Sequence, residues 1–169
     1  MKYLSTICIA LIISILPACK KPAPQLPSNK NNVIDSTNYY LTQINSNIIA
    51  QQDSVLSVFV EKNYSDFQKT KDGFWYKIIS QKNGKKITKS DTLLVWYKLL
   101  NLNNQQLKEE SFIAHFGKKE MTTGLEQGLL LMHKGDSAVF IIPWYLAFGA
   151  KGNENIKPYT SVIYKVFVK

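Results

Sequence analysis

The chain has 169 residues, 45% of them hydrophobic, and a formal net charge of +9. Every basic residue is lysine, and arginine is absent. Arginine supplies the forked contacts that read phosphate and guanine, so this basic surface argues against a nucleic-acid partner and reads instead as a solvated, mutually repelling shell.

The N-terminus sets the first expectation. Lys2 precedes an apolar run from Ile7 to Leu16, too short for a membrane span of about 20 residues but suited to a secretory signal. It ends in Leu16-Pro17-Ala18-Cys19, which resembles a bacterial lipobox. The resemblance implies a signal peptide over 1–18, cleavage before Cys19 and acylation of Cys19, with a lipid-anchored protein facing the periplasm. Several acyl chains on one cysteine anchor stably where a single chain does not. Cys8 leaves with the signal, so the mature domain would hold no disulfide and rely on its core. Residues 19–36, rich in Pro, Asn and Lys, read as a flexible tether.

The spacing predicts a helix over 37–61, within an N-terminal helical segment ending at residue 72. Ile44, Ile48, Val55 and Phe59 share one face, broadened by Leu56 and Val60, and Asn45-Ser46-Asn47 interrupts it. Two uses stay open for it: docking on its own domain, or forming a dimer through the N-terminal helix. Strand patterns follow. Residues 73–80 alternate weakly, and Asn83-Gly84-Lys85 is a hairpin turn signal. Residues 91–101 read as a long buried strand and 112–117 as a short one. A helix over 124–133 is bounded by glycines, residues 136–143 form a strand, and 160–169 alternate as the closing strand. Strands before and after one short helix predict an α+β domain over 73–169: an antiparallel sheet with a helix across one face.

The ordered set Gly124-Leu125, Gly128, Met132, Gly135, Ile142-Pro143, Leu146-Ala147-Phe148-Gly149, Gly152 and Ile156-Lys157-Pro158 resembles the FKBP-type peptidyl-prolyl cis-trans isomerases over residues 87–169. With the lipobox, the N-terminal helix and the run from Thr122 to Trp144, it also resembles the gliding-motility-associated FKBP-type lipoproteins. The resemblance implies a strongly bent sheet wrapped around one short helix. It implies a proline cleft floored by Leu125, walled by Tyr97, Phe112 and Tyr164, and rimmed by Met121, Thr122, Phe148 and Ile156. No cofactor, metal, nucleophile or acid–base pair is implied. An X–Pro bond isomerises over about 18–20 kcal/mol through a twisted amide that is less polar than the planar one, and a water-poor apolar cleft favours it.

Three departures from the family pattern bear on activity. Leu107-Lys108 stands where the family has Phe-Asp, whose acid accepts a hydrogen bond from the tyrosine matching Tyr97; Glu109, or Glu110 after a further slip, is the candidate replacement. Phe148 lacks the hydroxyl of the usual Tyr, and Lys157 replaces the first of two prolines. The resemblance therefore implies an envelope isomerase of weak activity acting on X–Pro segments of exported proteins. The alternative is a non-catalytic chaperone or assembly subunit of an envelope machinery for gliding or secretion. A surface polymer-binding module built from lysines is a third reading. His115 and His133 are read as structural. Membrane fractionation tests the anchor: the Cys19→Ala protein is expected to leave the membrane fraction, and its retention there after a detergent-free wash would refute the lipobox reading.

Overall fold

The structure, a computed structural model, describes residues 30–169, with side chains described for Tyr39 and from Leu41 onward. The expected signal peptide, Cys19 and the first part of the expected tether lie outside the described residues. The chain divides after Thr42, and residues 43–169 form one compact unit. Helix α1 (Lys30–Asn63) runs without a break through Asn45–Asn47 and begins earlier than the spacing predicts, so residues 30–36 are helical rather than tether. Among the described residues no helix is long and apolar enough to cross a membrane.

The second unit is built on a six-stranded antiparallel sheet: β1 (Gln68–Lys69), β2 (Trp75–Ser80), β3 (Thr92–Asn101), β4 (Gln106–His115), β5 (Ser137–Ile142) and β6 (Val162–Val168). The spatial order is β1-β2-β5-β6-β3-β4. Helix α2 (Thr123–Leu129) packs on the inner face, and a 3-10 turn (Trp144–Leu146) follows β5. Strands β5 and β6 pair directly, Phe140 opposite Tyr164 and Ile142 opposite Val162. This is the α+β arrangement expected, with differences inside it. The helix is shorter than 124–133, ending in turns closed by Leu131 N–H to Gly128 O and Met132 N–H to Leu129 O. Strand β3 alternates buried and exposed over 92–97, because its second face looks away from the core. Asn83-Gly84-Lys85 closes no hairpin: β5 and β6 lie between β2 and β3, and the segment runs instead against the end of α2, with Ile87 N–H bonded to Met132 O and Lys134 N–H to Lys85 O.

The inner core gathers Leu93, Val95, Leu99, Phe140, Val162 and Val166 against Leu125, Leu129 and Met132. How near the helix comes is set by Gly124 and Gly128, one turn apart on its buried side. A methyl built on Gly124 would lie 2.4 Å from Ile142 Cγ2, and one on Gly128 2.9 Å from the Phe140 ring. The turn beyond the helix is closed by buried Asp136, whose carboxylate accepts the amides of Lys82 (2.7 Å) and His133 (2.8 Å). A buried carboxylate satisfied by two amides holds strand, turn and helix end together.

The outer face carries a second, smaller core. Leu56 and Val60 of α1 are buried against Trp75, Ile141, Ile163 and Leu100, with Phe59 beside them. Of the face expected from Ile44, Ile48, Val55 and Phe59, broadened by Leu56 and Val60, the part at Leu56, Phe59 and Val60 docks, whereas Ile44 and Val55 are exposed. The sheet selects Leu56 and Val60 because they complete its outer apolar row.

In an open helix, Gly→Ala gains about 1 kcal/mol. At Gly128 the fully buried Phe140 ring blocks the methyl, so Gly128→Ala is expected to lose about 1–3 kcal/mol in denaturant unfolding. A gain would show that the contact between α2 and the sheet is loose.

Candidate functional site: an aromatic cleft over helix α2

The cleft begins as one rung of the sheet. Strand β3 puts Tyr97 on the inner face, and the register places Glu110 of β4 directly opposite. Side chains two apart along β4 share a face, so Lys108, Glu110 and Phe112 project together beside Tyr97. The Tyr97 hydroxyl donates to Glu110 Oε2 at 3.0 Å, and Lys108 Nζ lies 2.5 Å from the same oxygen. The Tyr97 ring meets Phe112 edge-on at 5.8 Å between centroids and tilts against Tyr164 at 5.4 Å. Edge contacts of this kind hold rings in place beyond the area they bury.

Below these rings is the first turn of α2. Leu125 is buried at the base, pressed there by the close approach of its glycine neighbour. Met121 and Thr122 form the lip before the helix, and Ala147 and Phe148 come from the turn after β5. The Thr122 side chain makes no cap bond; its hydroxyl lies 3.5 Å from that of Tyr164. The enclosed space is about 610 Å³, large enough for a few side chains of an extended peptide.

The electrostatics divide floor from rim. Burial pushes the Tyr97 hydroxyl above its ordinary pKa, reinforced by the Glu110 carboxylate. Burial raises Tyr164 strongly. Hydrogen bonding from Lys108, then from Tyr97, holds Glu110 below the usual carboxylate range. On the rim Glu120 pairs with His115 at 2.9 Å, and Glu126 Oε1 accepts the Gly117 amide at 3.0 Å. Among the described residues no group of three His, Cys, Asp or Glu is placed to hold a metal. What the site offers is an aromatic and apolar floor around Leu125 with two phenols, beneath an open polar rim that carries Lys108, Glu110, Glu120 and Glu126, a shape suited to an extended peptide.

The profile of the FKBP-type peptidyl-prolyl cis-trans isomerases matches residues 83–169. The chain belongs to that family. Comparison with proteins of curated function returns no match. Solved structures agree on the fold. A peptidyl-prolyl cis-trans isomerase from Pseudomonas syringae pv. tomato is 19% identical with a TM-score of 0.59, over 70% of this chain and 92% of its own. The N-terminal domain of FKBP42 from Arabidopsis thaliana is 24% identical with a TM-score of 0.56, over 61% of this chain and 89% of its own. FkpA from Escherichia coli is 16% identical with a TM-score of 0.56, over 99% of this chain and 79% of its own.

Seven of the eight residues assigned to the cleft from sequence line one space in this FKBP-type domain: Tyr97, Phe112, Met121, Thr122, Leu125, Phe148 and Tyr164. Ile156 does not line it. It is buried in the core, fixed by a two-bond bridge with Asn153. Glu109 is placed on the opposite face, 3.2 Å from Lys98. The acid beside Tyr97 is Glu110, because strand β4 starts at Gln106, passes an irregularity opposite Leu99 and Leu100, and then pairs with β3 in unbroken register from Lys108 to Phe112. Counting back in twos from Phe112 reaches Glu110 and Lys108, a signal lost once β4 is read as starting at residue 112. Lys119, Glu120, Thr123, Glu126 and Ala147 also line the cleft; each is a residue type common on solvated loops, which hid them in sequence.

The signs of these shifts predict a pH profile. Glu110 stays ionised, and Tyr97 and Tyr164 stay neutral, so affinity for an uncharged X–Pro peptide is expected to be flat from about pH 5 to about pH 9. It should weaken only as pH falls through the depressed value of Glu110, where Tyr97 loses its acceptor. Calorimetric titration across that range checks this, and a step near neutral pH would contradict it.

Proposed function

We propose that this FKBP-type protein is a peptidyl-prolyl cis-trans isomerase of the bacterial envelope, held to a membrane through lipidated Cys19 and acting on X–Pro segments of exported proteins. The observation that carries the reading is the cleft itself: Tyr97, Phe112 and Tyr164 enclose an apolar slot above Leu125. A prolyl ring entering it leaves water, and the twisted amide, having lost its resonance, suits the slot better than the planar amide does. Rotation about the X–Pro bond breaks no covalent bond, so it calls for no nucleophile. The short length, the lipobox resemblance and the N-terminal helix support a place among the gliding-motility-associated lipoproteins of the family.

Turnover is proposed to be slow, for a narrower reason than the sequence suggests. Glu110 takes the acid's place beside Tyr97, so Lys108 leaves no unpaired phenol behind. The remaining gap is Phe148, which lines the cleft without a hydroxyl. One hydrogen bond made to the substrate in the transition state is worth about 1 kcal/mol, or roughly fivefold in rate.

An NMR-exchange assay on a Leu-Pro peptide tests both statements. Phe148→Tyr is expected to raise kcat/KM roughly fivefold. Leu125→Asp is expected to abolish peptide binding while circular dichroism stays that of a folded protein. Binding unchanged in a folded Leu125→Asp protein would move the site elsewhere. Peptide binding with no turnover in either the parent or the Phe148→Tyr protein would instead support a non-catalytic chaperone.

A further inference from the structure

Among the described residues, two apolar surfaces of the second unit are left exposed. The first is on α1. Ile44, Ile48, Val55 and Val58 follow spacings of four, seven and three, the seam of a helix that packs along its length. At 100° per residue Val55 lies about 100° to one side of Leu56 and Val58 about 160° to the same side, so the seam points away from the sheet that Leu56 and Val60 contact. Ile44, Val55 and Val58 are 53%, 66% and 62% exposed. Between Ile44 and Val60 the helix carries a single charge, Asp53, which is paired with Lys69.

The second surface is on the outer face of the sheet, beyond the row that α1 covers. Trp96 pairs across strands with Phe167, and Leu94 with Ile113. Their exposures are 38%, 41%, 46% and 57%. Four large apolar side chains adjoining one another on one sheet face form a contiguous patch of the kind that marks an interaction site. Leu100, under α1, and Trp96 are four residues apart on β3, or about 13 Å. Packed helices lie about 8–10 Å apart, so a second helix laid beside α1 falls over Trp96 and Phe167. The lysine row between them, Lys98 and Lys165, can cover apolar surface with its stems, and Lys98 Nζ already lies 5.9 Å from the Trp96 ring centre.

We infer that two copies of the chain associate reciprocally, the Ile44–Val58 seam of α1 in each packing on the Leu94, Trp96, Ile113 and Phe167 patch of its partner. Both surfaces are on one chain, so a two-fold axis satisfies both at once, which is the closed geometry preferred by homodimers. Each α1 then lies between its own sheet and the partner's, as a helix apolar on two faces requires. Tyr97 and Trp96 are successive residues pointing to opposite faces, so the clefts of both copies stay open on the outside. The inference does not rest on the proposed activity.

Sedimentation equilibrium on residues 19–169, the chain after the expected cleavage, with Cys19→Ser removing its thiol, tests it at about 100 μM. The dimer mass is expected. Trp96→Ser with Phe167→Ser, and separately Val55→Lys with Val58→Lys, should each weaken association roughly tenfold or more. All four positions are exposed, and circular dichroism checks that the fold is kept. A mixture of a Val55→Cys chain with a Trp96→Cys chain should form the mixed disulfide faster than either forms its own. A monomer at that concentration would overturn the inference. So would a Val55→Cys chain that couples mainly to itself, the mark of a helix–helix seam. Patch variants that change sedimentation with phospholipid vesicles but leave the mass monomeric would assign the patch to a bilayer and equally overturn it.

Discussion

The distance between helix α2 and the sheet governs the rest of this structure. With hydrogens in place of methyls at Gly124 and Gly128, the helix backbone comes down onto Ile142 and Phe140. Dispersion and apolar burial both rise steeply at such short range. A helix held there drives Leu129 and Met132 into the core and leaves Leu125, at its exposed end, as the base of a cavity. The Met121–Thr122 lip and the Phe148 wall are consequences, since both flank elements whose position that contact sets. Asp136 locks the same arrangement from the far end by binding amides on either side of the helix and strand junction.

Alternation along β3 divides the molecule's work between two faces. Tyr97 goes inward to the cleft and Trp96 outward to the open patch, and neither can move without the other. The single rung Tyr97–Glu110 joins the cleft wall to the edge strand. Its carboxylate answers both the phenol and Lys108; Lys108 and then Tyr97 hold the half-exposed acid below the usual carboxylate range, while burial, reinforced by the carboxylate, pushes the phenol up. The three groups are one unit: removing the carboxylate leaves a phenol and an ammonium without their partner at the mouth of the slot.

Helix α1 shows how tertiary context chooses among apolar residues. Six of its side chains could have met the sheet by spacing. Leu56 and Val60 do so, with Phe59 beside them, because Trp75, Ile141, Ile163 and Leu100 form an apolar row there. Ile44, Val55 and Val58 are left outward, although they fit a helical seam equally well. A smaller outer core of this kind fastens α1 without enclosing the whole face of the sheet.

The glycine, apolar and aromatic order from Gly124 to Pro158 was enough to read the FKBP-type fold, because those residues are chosen for short-range needs: close backbone approach and buried faces. The lipobox resemblance is likewise a property of consecutive residues. What sequence could not settle were matters of register and rotation. Whether Glu109 or Glu110 faces Tyr97 depends on where β4 begins, and a one-residue slip reverses every side chain on a strand. Whether Asn83-Gly84-Lys85 joins neighbouring strands depends on β5 and β6 entering between them from far along the chain. Ile156 reads as a cleft residue by order, yet a local bridge with Asn153 turns it into the core. Which face of α1 meets the sheet is decided by the sheet. Local chemistry is written in neighbouring residues, whereas register and docking are set by contacts between segments distant in sequence, and only the folded chain brings those together.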